Sequence, residues 1–177
     1  MDLFIFNAIH SLANQLNILD WFAIFLAKYL PYILIIALII FFLREKSWKE
    51  KIFLAVFAGL TAILSRGLLT EIIRFIYDRP RPFEALGFMS LIPNGDPSFP
   101  SGHAALFFAL ALAVFKFDKL WGKWFLAAAF AISLARIFVG IHYPSDILGG
   151  FAIALISFLI IDRLIKKSYM QEQKTSS

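Results

Sequence analysis

Five runs of apolar residues constrain this chain more than any other feature: 21–43, 52–76, 102–115, 123–141 and 147–161. A helix crossing the roughly 30 Å hydrocarbon core of a bilayer needs about 20 mostly apolar residues, and only a helix or a closed barrel satisfies its backbone groups there without water. Of the 177 residues 60% are hydrophobic, against roughly 45–50% in an ordinary soluble domain. About five spans absorb that surplus, so the expected fold is an all-α integral membrane helical bundle of about five transmembrane spans. The third run is the shortest. Pro31 lies inside the first, yet a span starting after it would have only about 18 Å of helix. That run is read as one kinked span, with Lys28 close enough to its N-terminal end to snorkel.

Ahead of the first run, Leu3, Phe4, Phe6, Ile9, Leu12 and Ala13 follow helical spacing with Asn7, His10, Ser11 and Asn14 between them. This predicts an N-terminal interfacial helix too short to span. His10 has no charged partner nearby in sequence and reads as structural. The first twenty residues hold no Lys or Arg, so the basic region of a secretory signal is missing and no cleavage is expected. Basic residues outside the runs divide unequally. Arg44, Lys46, Lys49, Lys51, Lys116, Lys119, Lys123, Arg163, Lys166, Lys167 and Lys174 fall on one side, and only Arg79 and Arg81 on the other. The positive-inside rule makes the first side cytoplasmic, with the C-terminus inside and the N-terminus outside. The net charge of +5 therefore implies no nucleic acid partner. With no cysteine, a disulfide framework, a thiolate nucleophile and a Cys-ligated metal are excluded. No repeat or linker divides the chain, so 1–177 is expected to form a single domain with a motif-bearing core at about 52–163, and the polar tail from Gln171 to Ser177 is expected to fray.

On the sparsely basic side, chemistry-bearing residues gather. Arg74 lies near the outer end of the second span, and Arg79, Arg81 and Pro82 open the one long external loop. Phe99-Pro100-Ser101-Gly102-His103 closes that loop, Arg136 approaches the outer end of the fourth span, and His142 and Asp146 lie between the fourth and fifth. Guanidinium groups bind phosphate oxygens through planar forked donors, and a Ser-Gly-His turn entering a helix adds backbone N–H groups and a positive dipole end. Two histidines allow one to attack phosphorus while the other protonates the departing oxygen, with Asp146 available to set the tautomer of His142. Such a hydrolysis needs no metal and no cofactor, and a zinc site built from the same histidines would leave the arginines unexplained. On an α-helix Thr70, Glu71 and Arg74 lie at about 40°, 140° and 80° from Arg66, one polar stripe in which Glu71 is expected to pair with Arg66 and position Arg74. For Arg79 lipid-headgroup anchoring and diphosphate binding weigh evenly. Asp78 and Glu84 read as solvated loop charges.

The segments Arg74-x6-Arg81-Pro82, Pro100-Ser101-Gly102-His103 and Ala135-Arg136-x5-His142-x3-Asp146 resemble, in order and spacing, the three signature motifs of the type 2 phosphatidic acid phosphatase (PAP2) superfamily. Within it, the small size, the Arg-Pro-Arg-Pro-Phe run at 79–83 and the short external loop look like bacterial undecaprenyl-diphosphate phosphatases of the bacitracin-resistance type. The resemblance implies that His142 is the nucleophile, forming a phosphohistidine, with Asp146 orienting it and His103 serving as general acid and then base. Arg74, Arg81 and Arg136, with Ser101 and the Gly102 amide, would hold the phosphoryl oxygens; Arg79 and Glu71, which the resemblance does not cover, are kept as secondary candidates. Arg74 and Ala135 stand where the family commonly has Lys and Ser, and the family is commonly described with six spans. The implied activity is hydrolysis of undecaprenyl diphosphate to the monophosphate and phosphate, recycling the carrier lipid of cell-wall assembly at the extracytoplasmic face of the bacterial cell membrane. Partners beyond the lipid substrate and the bilayer are not implied. Phosphatidylglycerophosphate or phosphatidate would be the substrate in an alternative reading within the superfamily. A lipid-phosphate binding or transport protein without turnover is the alternative of another class.

Overall fold

A computed structural model of the protein describes residues 1–92 and 95–175, with side chains through Lys166. Ser176, Ser177 and the side chains of Lys167 and Lys174 lie outside the described residues, and the tail expected to fray continues the last helix as far as Thr175. Every regular element among the described residues is helical. Helix α1 (Asp2–His10) precedes a first span built from α2 (Asn17–Ile24), a π-helical turn (Phe25–Tyr29) and α3 (Leu30–Arg44). The second span is α4 (Trp48–Ala62), a second π-helical turn (Ile63–Leu69) and α5 (Thr70–Ile76). A short α6 (Pro82–Leu86) lies in the long connection after the second span, followed by α7 (Gly102–Phe117), α8 (Lys119–Phe138) and α9 (Pro144–Thr175).

Four of these stretches are long and apolar enough to cross a membrane: Asn17–Arg44, Trp48–Ile76, Lys119–Phe138 and Pro144–Lys166. The protein is a multi-pass membrane protein. Helix α7 has 16 residues, about 24 Å of helix, short of the full core thickness, and it packs inside the bundle. Ten of its residues are buried, among them Ala104, Ala105, Ala109, Ala111 and Ala113. Small side chains let neighbouring backbones approach closely where no hydrophobic difference from lipid drives helices together. The outer faces of α3 and α9 are correspondingly apolar and exposed, as at Ile36, Ile40, Leu148 and Ile156.

Both π-helical turns have local causes and consequences. Pro31 lacks an N–H, and its ring would crowd the carbonyl four residues back, that of Ala27. The wide turn at Phe25–Tyr29 takes up the proline, so the first span continues through it. The released Ala27 carbonyl accepts instead from Arg136 Nη1 at 3.4 Å. In the second turn the five-residue spacing of the π ladder brings Arg66 onto Glu71 in an ion pair. An unbroken α-helix would have held them far apart, so the expected pairing is present, with the π turn as its cause. Ser65 Oγ donates to the Ala105 carbonyl at 2.9 Å, fastening the turn to α7.

Helix α1 packs over the connection between α8 and α9. Phe6 is fully buried against the rings of His10, Phe88 and Tyr143, and His10 Nδ1 lies 2.7 Å from the Phe138 carbonyl. At the opposite end of the bundle, Lys116 and Lys166 both pair with Asp162, and Arg44 lies over the Trp121 ring.

Candidate active site

The connection from α8 to α9 depends on Gly140. Its φ is +86°, and a Cβ there would meet the Phe88 ring at 2.7 Å, so the residue needs both the backbone freedom and the missing side chain. The turn carries His142 into the bundle, where it is 1% exposed. Pro144 opens α9, as suits a residue with no N–H to satisfy, and Asp146 lies in the first turn. Its Oδ2 accepts from the Tyr143 backbone N–H at 2.7 Å, the reach-back typical of an acidic residue at a helix start. His142 Nδ1 lies 3.4 Å from the same oxygen, which also accepts from Ser98 Oγ. Arg79 Nη1 donates to Asp146 Oδ1 at 2.7 Å.

A carboxylate facing Nδ1 keeps the ring proton there and leaves the lone pair on Nε2. That nitrogen lies 3.4 Å from Arg81 Nη1. Burial pushes His142 down to about 3, with Asp146 opposing and the charges of Arg136 and Arg81 adding to the shift. The imidazole is therefore neutral in the resting protein, the form that can act as a nucleophile. Arg81 is held by carbonyls: Nε donates to Asp96 at 2.6 Å, Nη1 to Ile141 at 2.7 Å and Nη2 to Pro97 at 3.4 Å. Burial and the neighbouring Arg74 bring its pKa to about 10, so it stays cationic near neutrality. Glu84, though exposed, is more than a solvated charge, since it accepts from the Arg81 backbone N–H at 2.9 Å and closes the start of α6.

Arg74, at the end of α5, donates from Nε and Nη2 to the Pro100 carbonyl at 3.3 and 3.2 Å, while its Nη1 lies 3.7 Å from Glu71. This ties the second span to the loop that enters α7. Ser101 is buried and caps α7 by accepting from the Ala104 N–H at 3.5 Å, and its own N–H donates to the Asp146 carbonyl at 3.0 Å. At Gly102 a Cβ would stand 2.6 Å from Arg66 Nε, so the glycine lets Arg66 lie against the helix start. His103 follows and lines a cavity of about 360 Å³ together with Arg136. Arg136 is 5% exposed, and its Nε is buried without a hydrogen-bond partner among the described residues. An unsatisfied buried donor is costly, and an anionic oxygen is the partner that a guanidinium N–H suits best.

The structure thus brings His142, Asp146, His103, Arg74, Arg81, Ser101, Gly102 and Arg136 to one end of the bundle. It gives Arg79 a use that neither expectation named. Its Nη2 donates to Asp2 at 2.8 Å and its Nη1 to Ser145 Oγ at 2.7 Å as well as to Asp146, and its guanidinium stacks 4.1 Å from the Tyr143 ring centre. Asp2 also accepts from the Ser145 N–H and hydroxyl, so α1 helps brace the start of α9. Asp2, Ser98 and Ser145 were not singled out from sequence. The one signal at Asp2 was an acid at the head of an otherwise apolar helix.

A bundle of membrane-crossing helices with two histidines, a buried carboxylate and several buried guanidiniums at one end is the architecture of an integral membrane phosphatase. Residues 50–170 match the PAP2 superfamily, and the chain belongs to it. Among curated relatives, the undecaprenyl-diphosphatase BcrC of Bacillus subtilis is 34% identical over 86% of this chain and 78% of its own length. The bacitracin transport permease protein BcrC of Bacillus licheniformis is 31% identical over 88% of this chain and 76% of its own. Among solved structures, that of LpxE from Aquifex aeolicus is similar with a TM-score of 0.74 at 28% identity, covering 92% of this chain and 94% of that one. Membership in this phosphatase family makes the protein a membrane lipid-phosphate hydrolase.

Proposed function

We propose that the protein hydrolyses undecaprenyl diphosphate to undecaprenyl phosphate and inorganic phosphate, through a phosphohistidine on His142, at the extracytoplasmic membrane surface. The observation that carries the mechanism is the setting of His142: Nδ1 faces Asp146 at 3.4 Å while Nε2 faces the Arg81 guanidinium. Nε2 attacks the terminal phosphorus as the bond from that phosphorus to the bridging oxygen breaks. The bridging oxygen leaves with the lipid and takes a proton from His103. Water then attacks the phosphohistidine, returns a proton to His103 and releases phosphate, restoring neutral His142. The unpartnered Arg136 Nε, the α7 helix start and the Arg81 charge stabilise the oxygens on which negative charge gathers. Similarity to the Bacillus subtilis diphosphatase supports the choice of substrate. The uneven charge distribution supports the orientation, which suits a carrier diphosphate released where sugar polymers are assembled.

The test is phosphate release by detergent-purified protein in chelator, with undecaprenyl diphosphate, phosphatidylglycerophosphate and phosphatidate in parallel, each beside His142→Ala. Preferential release from undecaprenyl diphosphate, abolished in a variant that still inserts and melts cooperatively, is expected. Preference for a glycerolipid would overturn the substrate, and full activity in His142→Ala would overturn the nucleophile.

A further inference from the structure

We propose that Lys28 binds the phosphate that stays on the lipid when a diphosphate is cleaved, and so sets preference for diphosphates over monophosphates. This rests on the diphosphatase reading above. Lys28 is the one charged residue in the apolar stretch 21–43. Lys28 is exposed, and its long stem lets the ammonium reach toward the polar end of the bundle while its methylenes stay on the apolar face. Lys28 makes no ion pair among the described residues, and its Nζ lies over the ring of its neighbour Tyr29, 5.6 Å from the centre. It lines the same cavity of about 360 Å³ as His103 and Arg136. The rest of that wall, including Pro31, Tyr32, Ile35, Leu106 and Phe107, is apolar apart from the tyrosine hydroxyl. A cavity lined by two cations, an imidazole and apolar groups suits a charged headgroup with a hydrocarbon tail.

The register of Lys28 is held by the π-helical turn. The adjacent Ala27 carbonyl is bound to Arg136, so the backbone carrying Lys28 is tied to the guanidinium proposed to grip the transferred group. Arg74 and Arg81 direct donors to the carbonyls of Pro100, Asp96, Pro97 and Ile141. A monophosphate ester offers only the phosphoryl group that is transferred. A diphosphate carries a second phosphate that gains charge as its bridging oxygen parts from the terminal phosphorus, and an ammonium beside it favours that step.

The experiment compares wild type, Lys28→Met and Lys28→Arg for kcat/KM on undecaprenyl diphosphate and on phosphatidate, with melting temperature in detergent as the control for folding. The ratio of diphosphate to monophosphate kcat/KM should fall about tenfold or more in Lys28→Met, the worth of one charge-assisted contact, and recover in Lys28→Arg. An unchanged ratio in Lys28→Met, whether both rates hold or both fall, overturns the role of Lys28. Wild-type cleavage of phosphatidate without cleavage of undecaprenyl diphosphate overturns the substrate reading and this proposal with it. The wild-type rates alone tell the two failures apart.

Discussion

Arg136 holds its guanidinium between the Ala27 carbonyl and the cavity, with Nε unpartnered. If that nitrogen and a terminal one grip a phosphoryl group as a fork, Arg136→Lys should lower kcat/KM about ten- to a hundredfold, because one ammonium replaces two parallel donors. Equal rates for the variant and wild type in the phosphate-release assay would count against the fork. His142 carries a second expectation, in stability. Its pKa is lowered from 6.5 to about 3, so below about pH 6.5 the unfolded chain takes up a proton that the folded protein refuses, and stability falls as the pH falls. His142→Gln lacks this dependence, so its melting temperature should gain on that of wild type between about pH 7 and about pH 5. A constant difference would mean that His142 keeps its ordinary pKa. The pairing of His142 with Asp146 was legible in sequence, since four residues separate them across a helix start. The contacts of Asp146 with Arg79 and of Arg79 with Asp2 span 67 and 77 residues, and no periodicity records them.

At the scale of the element, the two π-helical turns do what an ideal helix could not. The stripe Arg66, Thr70, Glu71, Arg74 was visible from sequence, but an uninterrupted helix turns Glu71 away from Arg66. The wide turn at Ile63–Leu69 brings them together. The first turn depends on Pro31. In Pro31→Ala the new N–H would compete for the Ala27 carbonyl and draw the span toward a regular helix, removing an anchor of Arg136. The expected outcome is a kcat/KM several-fold lower with no loss of melting temperature, because the helix hydrogen bond gained offsets the freedom the unfolded chain gains. A lower melting temperature with unchanged activity would mean that the proline serves packing alone.

For the molecule as a whole, the absence of cysteine makes the proposed orientation directly measurable. A single cysteine at Gly95, in the connection between the second span and α7, should react with a membrane-impermeant maleimide in intact cells, and one at Lys49, between the first two spans, should react only after lysis. The reverse pattern would invert the topology and move the site to the cytoplasmic face. The helical membrane architecture and the motif residues gathered at one end of the bundle could be read from the chain alone, because hydropathy and helical period are sums over neighbouring residues. Tertiary structure alone decided that Arg79 braces Asp2 and Asp146, that Arg136 takes the carbonyl Pro31 sets free, and that Lys28 faces the cavity of His103. Those outcomes depend on distances between helices remote in sequence, and hydrogen bonds reach only about 3 Å, so they exist only once packing has placed the backbones.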